Sequence, residues 1–488
     1  MSSDAAGAAA DVTGGLAARL PRMRWFADKS TPILSATHAE RLVIPDAGGV
    51  ELALVDVRMA GGVSPRRYVV VESIDGHDAT CTPGFVRWLL ETVLAGRTVA
   101  AARDGRFVGH CVPPVAACDG RGRDAERLEV TPLGPDASNT SLVVRSAGRG
   151  FVVKLFRTCR PGIQPEVEVG EFFATASPWS GTPRLTGWLE FAQQDRSVAI
   201  ATVHEFVPGC VTAWDHLVGL LGGPEHAAAP AFETAARVAA ALGRTTAQMH
   251  RALASRPDRA AFAPLQATPD WSRVAAAGMR SHAAAVFTRI GQRLPQFPSP
   301  LARRLAAVLD VQPRLLARFA ALAEPPITCP LVRVHGDYHL GQVLVAPPID
   351  GVADTTEPRL LVIDFEGEPG RSLDDRRGRT VAAKDVAGMC RSFDYLARVT
   401  AARAGRPGDP AIARRLEQAF LDSYRAGAAG QPWWPATAAD ADRLLAAFAL
   451  DKAVYELAYE SDNRPDWIDV PLAALEALAA EAGPADTA

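Results

Sequence analysis

Two short segments constrain this chain more than anything else in it. The first is Val334-His335-Gly336-Asp337-Tyr338-His339-Leu340-Gly341-Gln342. The second, whose carboxylate lies 27 residues beyond Asp337, is Leu361-Val362-Ile363-Asp364-Phe365-Glu366-Gly367. Each borders an apolar run with strand character, CPLVRVHGDYHLGQVLVAP and PRLLVIDFEGEP. Transfer of a phosphoryl group to a hydroxyl needs a carboxylate that orients the hydroxyl and takes its proton, and hard oxygen ligands for Mg²⁺. Asp337 offers the carboxylate. Gln342 stands five residues on, the spacing of the metal-binding amide in a kinase catalytic loop, and Asp364 closes an apolar strand in the place of the second metal ligand. Glu366 adds a further contact for metal or water. A lone H-G-D would be a turn with a capping aspartate, whereas both segments in this order read as a kinase site. His335 and His339 are four apart but lack an H-E-x-x-H frame, so they are read as braces of the loop.

The nucleotide half of such a site is sought upstream. Lys154 lies in the strand-like run FVVKLF, where an ammonium is costly unless it meets an anion. ATP phosphates are that anion, with a carboxylate of the following PGIQPEVEVGEFFATA helix holding the lysine. Glu168 is the expected carboxylate, with Glu166 and Glu171 as alternatives. The turn PDASNTS would cover the phosphates through its backbone N–H groups, helped by Ser138, Asn139 and Thr140. In His204-Glu205-Phe206-Val207, backbone at Glu205 and Val207 is placed to meet adenine. Only four of the 52 basic residues are lysine, Lys29, Lys154, Lys384 and Lys452, which singles out positions where a compact ammonium is wanted in place of a guanidinium.

Periodicity divides the chain into three: a cap module at 1–125, a β-rich nucleotide lobe at 126–207, and a mostly helical lobe at 208–488. Strands first and helices after make an α+β fold, not an alternating βαβ sheet. No G-x-x-x-x-G-K-[ST], G-x-G-x-x-G or G-x-S-x-G occurs. A net charge of -3 offers no basic field for nucleic acid or an anionic membrane. No apolar run suits a membrane span, no secretory leader is read, and seven scattered cysteines fit reduced thiols, so a cytoplasmic protein is expected, monomeric or weakly dimeric.

At RWFADKS (24–30), SNTSLVV (138–144), VVKLFRTCRPGIQPEVEV (152–169), HEFVPG (204–209), HGDYHLGQVL (335–344), IDFEGEP (363–369), DVAGMCRSFDY (385–395) and DKAVYELAYESDNRPDW (451–467) the chain resembles the maltokinase-like branch of the aminoglycoside phosphotransferase and kinase-like superfamily. The resemblance implies a two-lobed, eukaryotic-type protein-kinase-like fold with an N-terminal cap, ATP and Mg²⁺ as cofactors, and a sugar acceptor in an acidic groove of the helical lobe. It implies a sugar kinase, either of the actinobacterial glucosamine kinase group, making glucosamine 6-phosphate, or a maltokinase, making maltose 1-phosphate. An aminoglycoside phosphotransferase and a non-catalytic kinase-fold protein are the further alternatives. Ala27-Asp28-Lys29-Ser30 departs from the Gly-Lys-Gly type sequence usual in maltokinases, which favours the aminosugar. Glu456 and Glu460 share a helix face, where like charges repel unless a cation lies between them. An aminosugar would be that cation, with Tyr459, Asp462 and Trp467 completing its site; the alternative is that Lys452 or Arg464 balances the glutamates and that the aromatics are core.

Overall fold

The computed structural model describes residues 15–26, 28–29, 31–62, 64–112, 128–134, 139–146, 148–222, 229–348, 357–405 and 409–481. The chain divides into two compact units after Pro208. Ser138 of the expected phosphate turn, and Ala27 and Ser30 of the cap motif, lie outside the described residues.

The first unit is built on two antiparallel sheets. In one, β1 (Ile33–Val43), β2 (Glu51–Met59), β3 (Arg66–Glu72) and β9 (Thr158–Cys159) pair in the order β1-β2-β3-β9. The other has seven strands, β4 (Thr98–Ala100), β5 (Arg106–Cys111), β10 (Leu185–Gln193), β11 (Arg196–Glu205), β8 (Arg149–Phe156), β7 (Asn139–Ser146) and β6 (Glu129–Pro132), in the order β4-β5-β10-β11-β8-β7-β6. ELALVDVRM becomes β2 because its side chains are buried on both faces of the sheet, which a run of β-branched and aliphatic residues tolerates. The helix Pro83–Leu94, opened by proline at its start, buries Phe85, Val86, Leu89 and Val93 in one cluster with Phe107, Leu189 and Phe191. The backbones touch at Gly109, where a Cβ would lie 2.0 Å from the Thr92 carbonyl oxygen.

This packing corrects the module boundary read at residue 125. Strands β4 and β5 belong to the same sheet as Lys154, and β9 extends the sheet of β1–β3. Buried Arg157 reinforces the join. Its Nε donates to Thr140 Oγ1 (2.9 Å), Nη2 donates to Thr80 Oγ1 (2.8 Å) and lies 3.4 Å from Asp78, and the guanidinium stacks on the Trp25 ring at 4.5 Å. Burial pushes Arg157 down to about 10, so it stays charged at neutral pH.

The second unit is helical apart from a three-stranded sheet, β12 (Val211–Thr212), β13 (Val343–Ala346) and β14 (Arg359–Val362), in that order. Its longer helices are Ala229–Leu253, Trp271–Arg293, Ala383–Arg403, Pro410–Ala428 and Ala438–Asn463. Several starts are capped by a side chain: Thr212, Asp409 and Thr437 each accept a backbone N–H of the first turn. Val286, Phe287, Ile290, Phe319, Leu444, Val454 and Leu472 share the core between these helices. The α+β class is thus observed. No helix among the described residues is long and apolar enough to cross a membrane, and no disulfide joins the six described cysteines.

Candidate active site

The β13–β14 hairpin brings the two diagnostic segments together. Val343 faces Val362 in the ladder, and the Ile363 N–H donates to the Gln342 carbonyl at 2.9 Å. Gln342 just before one strand and Asp364 just after the other are therefore neighbours, and Gln342 Nε2 donates to Asp364 Oδ2 at 2.8 Å. Asp364 has φ 66°, a left-handed conformation uncommon in residues other than glycine and typical of functional turns.

The loop carrying Asp337 is held from beneath by Asp385, at the start of the helix Ala383–Arg403. Its buried carboxylate accepts the N–H groups of His335 (2.8 Å) and Gly336 (2.9 Å) and pairs with His250 Nε2 at 3.0 Å; His250 Nδ1 in turn meets the Tyr424 hydroxyl at 2.9 Å. Burial by itself would raise the Asp385 carboxyl, but the hydrogen bond and charge of His250 and the loop N–H groups hold it below the usual range. The helix approaches so closely at Gly388 that a Cβ there would sit 2.7 Å from the Tyr338 carbonyl oxygen. His335 braces the loop through Nε2 on the Ile363 carbonyl at 2.8 Å, and His339 Nδ1 accepts the Gly341 N–H at 3.0 Å.

The Asp337 side chain meets a residue that sequence reasoning did not assign to it. Lys452 Nζ, from the helix Ala438–Asn463, donates to Asp337 Oδ1 at 3.0 Å and lies 3.7 Å from Glu368 Oε1. Burial would raise the Asp337 carboxyl, yet the Lys452 ammonium holds it far below the usual carboxylate range. Glu368 is also held low, by Lys384 at 3.6 Å, by Lys452 and by Arg371, against its own burial. Beside these groups lies a narrow recess lined by Glu368, Asp451, Lys452, Lys384, Arg371 and His282 among others. Its charge is mixed, so the acidic groove implied by the resemblance is not what these residues make.

In the first unit Lys154 Nζ donates to Glu166 Oε2 at 2.8 Å, and His204 Nε2 lies 3.2 Å from Glu166 Oε1. The carboxylate on the lysine is Glu166, one of the alternatives the sequence offered. Glu166 and Glu168 are both in the first turn of the helix Pro165–Thr175, but Glu166 is on its buried face and Glu168 is only half-buried. Lys154 and His204 hold the Glu166 carboxyl low against strong desolvation. Asn139 and Thr140 open β7, with the Thr140 hydroxyl taken by Arg157. Exposed Glu205 ends β11 with its N–H on the Arg184 carbonyl, and half-buried Val207 follows it. Asp28 of the cap motif accepts from Arg66 and from the Tyr68 hydroxyl, which makes it part of this unit's own structure.

The five residues expected on the C-terminal helix for an aminosugar find other partners. Glu456 accepts from Arg391 Nη2 at 2.8 Å, Glu460 from Arg464 Nη2 at 2.6 Å, and Asp462 pairs with Arg293 and Arg289. Arg464 stacks between Tyr459 and Trp467, 5.4 and 5.5 Å from their ring centroids. The cation between the glutamates is thus supplied from within the chain, and none of the five lines the recess among the described residues. Lys452, Glu368 and Asp385 were the missed residues. All three carried a usable signal: Lys452 as one of only four lysines, Glu368 and Asp385 as carboxylates inside an otherwise apolar or glycine-rich run.

The hairpin that joins Gln342 to Asp364 and the strand that carries Lys154 and its Glu166 partner belong to a kinase-like fold. Residues 129–367 match the family model described as the phosphotransferase enzyme family. A glucosamine kinase of Streptacidiphilus jiangxiensis is 33% identical over 293 residues, 59% of this chain and 60% of that protein. A glucosamine kinase of Mycolicibacterium smegmatis is 29% identical over 364 residues, 71% of this chain and 79% of the relative. The chain thus spans less than two thirds of the first relative's length. Among solved structures, a glucosamine kinase in complex with glucosamine, ADP and inorganic phosphate matches with a TM-score of 0.60 and 25% identity, covering 91% of this chain and 93% of that one. A second crystal form of glucosamine kinase matches with a TM-score of 0.62 and 26% identity over 94% and 97%.

Proposed function

We propose that this chain is an ATP- and Mg²⁺-dependent sugar kinase that phosphorylates glucosamine, giving glucosamine 6-phosphate and ADP. The observation that carries the reading is Asp337, set on a loop anchored through two backbone N–H groups beside the polar recess of the second unit. The similarity to glucosamine kinases over most of the chain supports the choice of acceptor. Gln342 and Asp364 would hold Mg²⁺. Their side chains offer oxygen donors of the hard kind this ion prefers, and Mg²⁺ keeps water for its remaining positions. When bound, the ion would neutralise phosphate charge. Lys154, fixed by Glu166, would bind phosphate oxygens, and backbone near Glu205 and Val207 would receive adenine.

Asp337 accepts the hydrogen bond of the acceptor hydroxyl. As that oxygen bonds to the γ-phosphorus, the bond to the ADP oxygen breaks and the hydroxyl proton passes to Asp337. A carboxylate with so low a proton affinity is a weak base, which suits a loose transition state in which positioning matters more than early deprotonation. Asp337→Asn is expected to lower kcat by about 10²–10⁴-fold with ATP binding kept. The deciding experiment is an ADP-release assay with glucosamine, N-acetylglucosamine, glucose and maltose. Glucosamine is expected to be turned over best; equal or better turnover of maltose overturns the choice of acceptor.

A further inference from the structure

We propose that Lys452 is a positioning residue for this reaction, its ammonium clamping one oxygen of Asp337 so that the other is presented to the acceptor hydroxyl. The inference rests on the reading of Asp337 as the group that receives the acceptor proton. Among the described residues, the one side-chain partner of the Asp337 carboxylate is Lys452, on Oδ1 at 3.0 Å. The loop backbone is fixed by Asp385, but that anchor does not fix rotation of the Asp337 side chain; the lysine does. The ammonium is itself held on three sides, by Asp337, by Glu368 Oε1 at 3.7 Å and by the face of Tyr455 at 4.9 Å from its ring centroid. Glu368 is kept in place by Lys384 and Arg371. A chain of alternating charge thus runs from the recess to the base.

The choice of amino acid follows from the same geometry. Arginine fills most cationic positions here, and lysine persists at only four. A guanidinium presents a planar fork that engages both oxygens of a carboxylate, whereas an ammonium is a point donor that can satisfy one. At position 452 a fork would occupy the oxygen the hydroxyl needs. Charge retention alone is therefore not enough, and Lys452→Arg is predicted to be impaired.

The test compares wild type with Lys452→Ala, Lys452→Arg and Glu368→Gln, measuring kcat, the KM for ATP and the thermal midpoint. Lys452→Ala is expected to lose about 30-fold or more in kcat, of the order seen when a reacting group is misplaced by a fraction of an ångström to 1 Å, with the KM for ATP within about threefold. Added propylammonium should restore part of that kcat saturably, which a merely structural lysine would not show. Lys452→Arg should retain less than about a tenth of wild-type kcat, and Glu368→Gln should fall between the two and wild type. Wild-type kcat in Lys452→Arg, a loss confined to the KM for ATP, or Lys452→Ala activity within threefold of wild type each overturns the proposal. If Lys452→Ala fails to fold, the arginine and glutamine variants decide alone. If wild type leaves glucosamine unphosphorylated, the acceptor reading fails separately. The same comparison is then made on acceptor-free ATP hydrolysis, where water takes the hydroxyl's place, and equal hydrolysis by wild type and variants overturns the role of Lys452.

Discussion

Asp385→Asn is the most telling single substitution in the second unit, because it changes one buried oxygen and nothing of the shape. The carboxylate serves three donors, the His335 and Gly336 N–H groups at 2.8 and 2.9 Å and His250 Nε2 at 3.0 Å. A hydrogen bond to a charged acceptor contributes about 1.5–3 kcal/mol net, and a buried donor left unpaired costs about 1–3 kcal/mol. Asparagine keeps one oxygen and turns an NH₂ toward a donor, so one charge-assisted bond is lost and one donor is stranded. The sum is about 2.5–6 kcal/mol, in line with breaking a buried charged pair. For a unit of this size that corresponds to a fall of about 6–12 °C in the unfolding midpoint. Release of the loop also frees Asp337, and a displacement near 1 Å is worth about 100-fold in kcat. Thermal unfolding at pH 7.5, paired with steady-state kinetics on the same preparation, reads both effects. A midpoint within 2 °C of wild type together with kcat within twofold would refute the reasoning. Tyr424→Phe, which removes only the neutral contact to His250, should cost about 1 kcal/mol.

Glu166→Gln should raise the KM for ATP about tenfold or more by loosening Lys154, whereas Glu168→Gln should leave it within about twofold; a reversed order in kinetics would reinstate Glu168 as the partner. Arg391→Met removes the guanidinium shared by half-buried Glu456 and Asp394 and should cost about 1.5–3 kcal/mol in urea unfolding. Asp385 and Glu368 both have carboxyls held below their ordinary values. Their stabilisation is full above the unfolded-state value near 4 and is lost as pH falls through the lower folded-state values. The urea midpoint should therefore be level with respect to these groups from pH 7 to about 5 and fall below about 4, and Glu368→Gln should lessen that fall.

What could be read from the residues follows the range of the interactions involved. The β13–β14 hairpin was legible because strand character and both functional side chains lie within one local stretch. Lys154 was legible because an ammonium in FVVKLF is anomalous by itself. Which of the helix's carboxylates meets it stayed open: helical periodicity defines a buried face, but the phase of that face against β8 and β11 is a tertiary fact, and it puts Glu166 on Lys154. The C-terminal helix was misread for a similar reason. Glu456 and Glu460 do need cations, but Arg391, 65 residues away, supplies one of them, and no local pattern points to it. The boundary at 125 cuts across the pairing of β5 with β10, a contact between residues as far apart as Cys111 and Gly187 that no local pattern announces.

The contact between Asp337 and Lys452 also orders events during synthesis. The two residues are 115 positions apart, so at about 5–20 residues per second the ribosome delivers the lysine roughly 6–23 s after the aspartate. For most of that interval the hairpin with Gln342 and Asp364 and the lysine–glutamate pair of the first unit exist as nascent chain, while the Asp337 carboxylate lacks its ammonium partner. The helix made late completes a charge pattern begun in the middle of the chain, so a product truncated before residue 452 would carry Lys154, Asp337, Gln342 and Asp364 and still lack the ammonium partner of Asp337.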